Sequence, residues 1–592
     1  MTLPRWRWAL YLLPAILGVL PTLLSPGHIV GDGVDAYGTG WFYWWIRTCV
    51  THFGNPSWTP LFFAPDGKNV FADTGNNFVD AVFAIPFQLL FRSAWSAPFT
   101  VFLLAGNAWT FENMAIALWG RVPGEGALRD VIAATTAWMV NPYVIFELTA
   151  GRPTQALMWW FPLAILFLHR ICIGDRSART AVSFGVAVAL TGWTYWFAAY
   201  FLVFLLLPLA IWWSAGNRLG AARSIAIAVV VCVVLVAPMA MAMNIAWNAG
   251  IVPGVASGGP EAANVDADLH GVWLMETRGA PLLSQPAWLL AAILGAVVGK
   301  REGRTWLGMA LGLVAIGAGA RLGGARIVNP IWSVLSHLPF LARLWFPYRI
   351  TMVVMLPWTA LALLAFQRYG RKWLLLTGFI ALALGGEAFS GTFPFNHKDA
   401  SCPPLVLDAA REPGTFLVLP GGIQSDDLLW QTSFQRPMFA GMGESAPAFW
   451  PAGYANRKKE PWIQALQDAS ASPHRQHPAP PTSPPAPDAL KTLGVRWVLL
   501  RRDLIIGIWR NERSRGGKDA LRARDAAAIA QLTGMLGQPA AADDRLILWD
   551  VLGTYTDPAF PVTPEKLGTP PLEDVERPGF EWGMIRMHRM PE

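Results

Sequence analysis

The apolar stretch WALYLLPAILGVLPTLL, residues 8–24, leads directly into SPGHIVGDGVDAYGTGWFYWW, residues 25–45. Basic residues precede the first part and no small-residue cleavage site follows it, so it predicts an uncleaved membrane span that starts in the cytoplasm. The second part places Asp32 and Asp35 on glycine-rich backbone immediately after that span. Two acids at a membrane surface, followed by a dense group of aromatic side chains, predict that the chain is organised around this loop.

The composition indicates a polytopic membrane protein. Of the 592 residues, 54% are hydrophobic and only 14% are charged, which is too apolar for a soluble enzyme. The net charge of +7 comes mostly from Arg and Lys clusters between apolar runs, where the positive-inside rule explains them, so no nucleic-acid partner is predicted. The four cysteines lack CxxC or metal-ligand spacing and indicate neither a disulfide framework nor a zinc site.

Apolar runs and the basic segments between them predict about eleven transmembrane helices, with the N-terminus cytoplasmic and the C-terminus outside. After the first span, the predicted spans are 97–119, 131–146, 156–171, two within 181–214 that turn near TGWTYW, 224–243, 285–299, 305–320, 350–366 and 373–389. The run FVDAVFAIPFQLLF, residues 78–91, is too short to cross a bilayer. We therefore expect it to lie at the outer interface or to form a re-entrant helix.

The predicted fold is an α-helical polytopic membrane protein with a C-terminal soluble α/β domain. Residues 1–392 form the membrane module, whose long loops 26–96, 244–283 and 321–349 all lie outside. Residues 393–592 form an extracytoplasmic domain of ordinary domain size. Within that domain we expect strands at 415–420, 495–505 and 545–550, and a helix at 525–536. Because the long loops share one side, the functional surface is predicted there.

Asp32 and Asp35 are the first candidates for chemistry. A carboxylate at this position could deprotonate an incoming hydroxyl, or the pair could bind a divalent cation that neutralises a leaving phosphate. The alternative is that they are solvated loop acids or a helix cap. Arg343 and Arg349 flank LWFPY at the mouth of a span, where a guanidinium could hold phosphate; interfacial anchoring is the alternative there.

Further polar residues of the outer loops could converge on the same cavity, although each alone is better explained as a turn or capping residue. They are Asp66, Asp73, Glu147 and Arg152, with Asp266, Asp268 and His270 ranked below them. Glu112 lies inside a predicted span near its inner end. For Glu112 we expect a structural hydrogen bond to a neighbouring helix or a position at the cytoplasmic interface.

Several segments resemble polytopic GT-C-type glycosyltransferases, which use polyprenyl-phosphate-linked sugars. GDGVD and FFAPDGKNVFADTGNN, residues 31–35 and 62–77, resemble the first outer loop of that superfamily. Weaker similarity lies in NPYVIFELTAGRPTQALMWWFPLAI (141–165), NVDADL (264–269) and LPFLARLWFPYRI (338–350). DALKTLGVRWVLLRR, residues 488–502, resembles the outer domain of poorly characterised bacterial members.

The resemblance implies that an acid of the first outer loop is the catalytic base or is associated with a metal, Mg²⁺ or Mn²⁺. Asp32 fits that position best. Relatives often have Asp-x-Asp or Glu-x-Asp, whereas two residues separate the acids here, so Asp35 stays the alternative. Arg343, Arg349, Arg152, Asp66, Asp73 and Glu147 are then the candidates for substrate and phosphate binding.

The implied function is sugar transfer with inversion, from a polyprenyl-phosphate donor to a glycan, lipid or protein acceptor. The enzyme would lie in a bacterial inner membrane and act on its outer face, among membrane lipids. The alternatives are a non-catalytic scaffold for the assembly of cell-surface polysaccharide and a transporter of lipid-linked glycans.

Overall fold

The structure, a computed structural model, describes residues 5–33, 35–70, 77–119, 125–214, 216, 218–248, 286–317, 329–335, 347–369, 393–421, 426–442, 444, 450–471, 480–481, 485–504 and 517–554. The chain divides into two compact units. The first, here the helical unit, comprises Met1–Arg47, Thr74–Asn244 and Gly254–Asp399. The second, here the mixed unit, comprises Thr48–Asp73, Ile245–Pro253 and Ala400–Glu592.

Helices make up most of the first part of the chain. They are Arg7–Leu23 (α1), Asp35–His52 (α2), Phe78–Phe91 (α3), Ser96–Trp119 (α4), Glu125–Met139 (α5), Pro142–Thr149 (α6), Pro153–Ala156 (α7), Trp160–Cys172 (α8), Ala178–Thr194 (α9), Trp196–Trp213 (α10), Arg218–Asn248 (α11), Pro286–Val298 (α12), Lys300–Gly317 (α13), Pro330–Leu335 (α14) and Thr351–Tyr369 (α15). Helix α4 packs against α1, α5 and α8, and α15 packs against α5, α12 and α13. The strand His28–Val30 (β1) pairs antiparallel with His397–Asp399 (β4) in the same unit.

Six segments in the described part of the chain are long and apolar enough to cross a membrane. They are Ser96–Trp119, Val131–Thr149, Pro153–Cys172, Trp196–Trp213, Arg218–Ile245 and Thr351–Arg368. The segment Arg218–Ile245 buries only 11% of its most apolar window, as expected for side chains that face lipid. These helices indicate a membrane protein. The predicted span 373–389 lies outside the described residues, and the count of eleven stays a prediction.

Two local predictions in this region are confirmed. Helices α9 and α10 are separated at Tyr195, within the predicted turn TGWTYW. Glu112 of α4 accepts hydrogen bonds from Arg7 Nε at 2.8 Å and from the Tyr11 hydroxyl at 2.7 Å, both on α1. The expected structural bond of Glu112 to a neighbouring helix is therefore present, and it satisfies a carboxylate that would be costly to leave unpaired in an apolar helix.

The mixed unit contains a four-stranded sheet with helices along the chain between its strands. Its elements are Trp58–Thr59 (β2), Lys68–Asn69 (β3), Pro404–Ala409 (α16), Thr415–Leu419 (β5), Asp427–Phe434 (α17), Ala452–Arg457 (α18), Pro461–Ala471 (α19), Ala486–Thr492 (α20), Val495–Arg501 (β6), Gly517–Leu536 (α21), Ala541–Ala542 (β7) and Leu546–Asp550 (β8). The sheet order is β5-β6-β8-β7, and only β5 and β6 run parallel. Strands β5 and β8 agree with the predicted bounds within one residue. Strand β6 ends at Arg501, four residues before the predicted end, and α21 begins at Gly517, eight residues before the predicted start.

Candidate functional site

The loop GDG after β1 lies directly against the turn that joins α6 and α7. Gly31 has φ +93° and Gly151 has φ +73°, both in the left-handed region that favours glycine. A Cβ atom on Gly31 would lie 2.4 Å from the Cα atom of Gly151, and a Cβ on Gly151 would lie 2.3 Å from the Cβ of Ala36. Neither position has room for a side chain, so glycine allows the two backbones to touch.

Backbone and side-chain hydrogen bonds hold Asp32 between two distant parts of the chain. The Asp32 amide donates to Thr149 O at 3.0 Å, and the Gly31 amide donates to Asn396 O at 2.6 Å. The side chain of Asn396 donates from Nδ2 to Asp32 Oδ2 at 3.0 Å. Lys398 Nζ approaches Asp32 O at 3.5 Å and lies 4.1 Å from the ring centre of Tyr37. The half-buried Asp32 carboxylate is thereby oriented.

Asp35 is in a different environment from Asp32, because α2 begins at Asp35 and Asp32 precedes the helix. A carboxylate in the first turn of a helix is stabilised by the helix dipole. Asp35 Oδ2 also accepts a hydrogen bond from Arg152 NH1 at 3.1 Å. The two acids predicted as one pair therefore have separate partners.

Arg152 joins Asp35 to a second acid, Glu147. Arg152 Nε donates to Glu147 Oε2 at 2.5 Å, and its guanidinium lies 5.1 Å from the ring centre of Phe146. The Glu147 side chain is 0% exposed, Arg152 is 8% exposed and Asp35 is 31% exposed, so the cluster opens to its surroundings only at Asp35. One guanidinium between two carboxylates leaves a net charge of −1. The sequence predicted Arg152 and Glu147 as substrate ligands, and here they bind each other and Asp35.

The local sequence explains why Glu147 and Arg152 meet. Helix α6 starts at Pro142, behind Asn141, whose side chain accepts a hydrogen bond from Val144 N. The helix ends after Thr149, and Pro153 starts α7. Arg152 therefore stands in a tight turn, five residues after Glu147, where its side chain can fold back onto that acid.

Arg349 belongs to a short 3-10 turn, Pro347–Ile350, immediately before α15. Its NH1 donates to the Tyr195 hydroxyl at 2.7 Å, and Tyr195 occupies the break between α9 and α10. This hydrogen bond connects Arg349 with the break between α9 and α10. Nothing in the sequence pattern connected Tyr195 with Arg349, because 154 residues separate them.

A further acid, Asp80, is fully buried in the first turn of α3. Its Oδ2 atom accepts hydrogen bonds from the hydroxyls of Tyr43 and Thr154. In the sequence, Asp80 interrupts the short apolar run FVDAVFAIPFQLLF and was not predicted as a site residue. The signal that could have found it is the cost of an ionisable side chain among apolar neighbours, which makes such residues functional candidates by default. Asn396 and Lys398 were missed for a different reason, since short polar segments carry no comparable signal.

The other predicted residues lie elsewhere or outside the described chain. Asp66 belongs to the mixed unit, where its carboxylate accepts a hydrogen bond from Arg457 NH2 at 2.6 Å. Residues outside the described ranges are Asp73, Arg343, Asp266, Asp268 and His270.

The predicted metal site would lie at Asp32 and Asp35. Among the described side chains, no cluster of three or more His, Cys, Asp or Glu residues could hold a metal ion. The Arg152 guanidinium already lies against Asp35, where the predicted Mg²⁺ or Mn²⁺ would supply positive charge. Mg²⁺ is commonly held by one or two carboxylates together with a substrate phosphate, so the predicted cation at Asp32 and Asp35 stays a prediction.

Comparisons with known proteins give a weak structural likeness. No family model and no curated protein matches the chain. An oligosaccharyltransferase of Archaeoglobus fulgidus in its apo form matches with a TM-score of 0.47 and 11% identity, over 84% of this chain and 70% of that chain. The same enzyme tethered to an acceptor peptide gives a TM-score of 0.44 and 10% identity, over 84% and 69%. The A. fulgidus oligosaccharyltransferase AglB with an inhibitory peptide and a dolichol-phosphate gives 0.42 and 11%, over 84% and 70%. Because these TM-scores are below 0.5, the likeness carries no argument about activity.

Proposed function

We propose that the chain is a GT-C-type membrane glycosyltransferase that transfers a sugar, with inversion, from a polyprenyl-phosphate donor to an extracytoplasmic acceptor hydroxyl. The observation that supports this most directly is the placement of Asp32. Its backbone is held by Thr149 and its carboxylate by Asn396, immediately after the first apolar helix. Beside it on the same loop, Asp35 binds the buried Arg152. An oriented acid suits a reaction in which a proton is removed from the acceptor while phosphate leaves.

In the proposed reaction Asp32 is the general base. The acceptor hydroxyl gives its proton to a carboxylate oxygen of Asp32, and the acceptor oxygen forms a bond to the anomeric carbon of the sugar. The bond from that carbon to the phosphate oxygen breaks, and its electron pair leaves with the polyprenyl phosphate. Attack opposite to the leaving group inverts the anomeric centre. Asp35 takes the other role, since its carboxylate holds the Arg152 guanidinium in place.

The leaving phosphate needs charge stabilisation more than it needs a proton, because a phosphate monoester is a stable anion. Arg349 is the proposed ligand for this phosphate, together with Arg343. A guanidinium can bind two phosphate oxygens at once, and the Tyr195 hydroxyl orients Arg349 from one side. The apolar helices nearby suit the isoprenoid chain of the donor. The proposed place of action is the outer face of a bacterial inner membrane.

Substitution of the two acids tests the proposal. Asp32→Asn should lower sugar transfer in membranes by about 10³-fold, the typical contribution of a general base. Asp35→Asn should have a smaller effect, because it loosens Arg152 without removing the base. Glu112→Gln is the matched control, since Glu112 is a buried acid that pairs with α1. Mass spectrometry first identifies the undecaprenyl-phosphate-linked sugars that accumulate in a deletion strain. The assay then measures transfer of labelled sugar from these donors.

The same assay separates the enzyme from a non-catalytic scaffold. A transferase loses turnover on Asp32→Asn while it still binds the undecaprenyl-phosphate lipid. If correctly inserted Asp32→Asn and Asp35→Asn proteins both keep full transfer, the mechanism is wrong. An unchanged profile of lipid-linked sugars and surface glycan in the deletion strain would instead favour the scaffold.

A further inference from the structure

The first turn of α3 contacts α2 and α7, two of the elements that carry the candidate site. Its buried acid, Asp80, accepts a hydrogen bond from Tyr43 on α2, the helix that begins at Asp35. The same carboxylate oxygen accepts a second bond from Thr154 on α7, two residues after Arg152. One atom therefore ties together the two segments that supply the Asp35–Arg152 ion pair.

Two more hydrogen bonds extend this arrangement. Gln88, two turns further along α3, donates from Nε2 to Tyr43 O at 3.1 Å, so α3 holds α2 at two points. The Asn77 amide, immediately before α3, donates to Thr194 O at 3.1 Å. Thr194 precedes Tyr195, which binds Arg349. The residue before α3 thus also contacts the segment that includes Tyr195, the hydrogen-bond partner of Arg349.

We propose that Asp80 is a positioning residue, whose buried carboxylate sets the distance between Asp35 and Arg152 and so the geometry of the site. Asp80 touches neither Asp35 nor Arg152 in the hydrogen bonds described, and it acts through Tyr43 and Thr154. A carboxylate is suited to this role because charge-assisted hydrogen bonds are shorter and stronger than neutral ones. Full burial excludes water that would compete for the two hydroxyls.

Hydrogen–deuterium exchange of the full chain in lipid nanodiscs tests this positioning without any substrate. Asp80→Asn keeps the size of the side chain and removes its charge. Exchange should become roughly tenfold faster in peptides that cover 30–36 and 149–157, because one charge-assisted hydrogen bond is worth about that factor. Peptides from α15 should not change. Glu112→Gln, which alters a different buried acid, should leave both site peptides as they are in the unaltered chain.

Thr154→Val and Tyr43→Phe keep the test decisive if Asp80→Asn does not fold. Each removes one donor from Asp80 with little change in shape, and each should speed exchange in the same two peptides. Unchanged exchange at these peptides in folded Asp80→Asn, or in both single-donor variants, would overturn the inference.

Turnover supplies a second measurement, which rests on the proposed function. Displacement of catalytic groups by a fraction of an ångström to 1 Å costs up to about 100-fold, so Asp80→Asn should lower kcat by roughly 10- to 100-fold while KM for the donor stays within about twofold. In an Asp35→Asn background the same change should cost nothing more, because groups that act as a unit are not additive. Additive losses would mean that Asp80 only stabilises the fold.

The exchange and turnover measurements can refute the positioning by Asp80 and the proposed function independently of each other. If Asp80→Asn speeds exchange at the site peptides but the unaltered chain shows no transfer, the positioning by Asp80 is supported. The proposed function is then refuted. If transfer depends on Asp32 but Asp80→Asn changes neither exchange nor kcat, the proposed function is supported. The positioning role of Asp80 is then overturned.

Discussion

The ion cluster around Arg152 shows what one residue contributes to this site. Glu147 is buried completely, and its Oε2 atom binds Arg152 Nε at 2.5 Å. The same guanidinium reaches Asp35, so its charge stabilises two acids at once. Removing one partner from a buried ion pair is strongly destabilising because the other charge is left without compensation. Arg152 is therefore needed for stability as well as for the proposed chemistry.

Arg152→Gln should lower the free energy of unfolding by about 3–5 kcal/mol, because it leaves Glu147 buried without its cation. The double variant Arg152→Gln with Glu147→Gln should recover much of that loss, since no uncompensated charge then remains. Thermal unfolding of detergent-purified protein, followed by intrinsic fluorescence, measures both. Arg411→Gln serves as the control, because Arg411 is 80% exposed in its pair with Asp408 and should change stability little. A double variant that loses as much as the sum of its single changes would contradict the role of the pair.

At the scale of elements, strand β6 is unusual because it is buried along its whole length and yet carries two arginines. Both charges are paired: Arg496 Nε lies 3.3 Å from Asp550 Oδ1, and Arg501 NH2 lies 2.6 Å from Asp503 Oδ2. The pairing explains how VRWVLLR can form an interior strand that is parallel to β5 and antiparallel to β8. Replacing a carboxylate partner should therefore weaken the sheet around β6.

The pair of Arg501 and Asp503 predicts a dependence on pH. Burial acts to raise the pKa of Asp503, but the charge of Arg501 and the hydrogen bonds that it donates outweigh burial, so the pKa lies below its ordinary value. A lowered folded pKa stabilises the fold above the unfolded pKa of about 4, and this stabilisation is lost as pH falls through the folded value.

Asp503→Asn should therefore destabilise the mixed unit at pH 7, and the difference from the unaltered chain should narrow towards pH 3. Oxidation of the buried Met438 by hydrogen peroxide across a urea series reports the unfolding midpoint in the full chain. A difference in midpoint that stays constant between pH 7 and pH 3 would show that the ion pair does not contribute.

Elements were the part of the structure that the sequence predicted best. Helix α3 covers residues 78–91, the predicted bounds, and the break at Tyr195 lies in the predicted turn. Apolar runs and turn residues are local signals, so they can be recognised in the sequence without knowledge of the fold. The contacts of Asp32 with Asn396 and of Asp80 with Thr154 depend on which elements meet, and no local pattern encodes that. Asp32 and Asp35 stay predicted site residues, and the sequence did not indicate that Asn396 would orient one while Arg152 pairs with the other.

At the scale of the whole molecule, the positive-inside pattern predicts an odd number of spans, with the N-terminus in the cytoplasm and residues from about 393 outside. An alkaline phosphatase fusion after residue 554 should then be active, and a green fluorescent protein fusion at the same point should be dark in an Escherichia coli host. A fusion within 217–223, a predicted cytoplasmic loop, is the control with the opposite expected result. A fluorescent, phosphatase-negative C-terminal fusion would place the mixed unit in the cytoplasm and would count against the proposed outer site.

The pairing of β1 with β4 also has a consequence for biogenesis. Asn396, which orients the Asp32 carboxylate, is 364 residues further along the chain. At a synthesis rate of about 5–20 residues per second, this partner leaves the ribosome roughly 20–70 s after the acid it binds. During that interval the GDG loop exists without β4 and without Arg349. A nascent chain that is still being inserted therefore carries an incomplete candidate site, and the proposed transfer requires that most of the helices are already in the membrane.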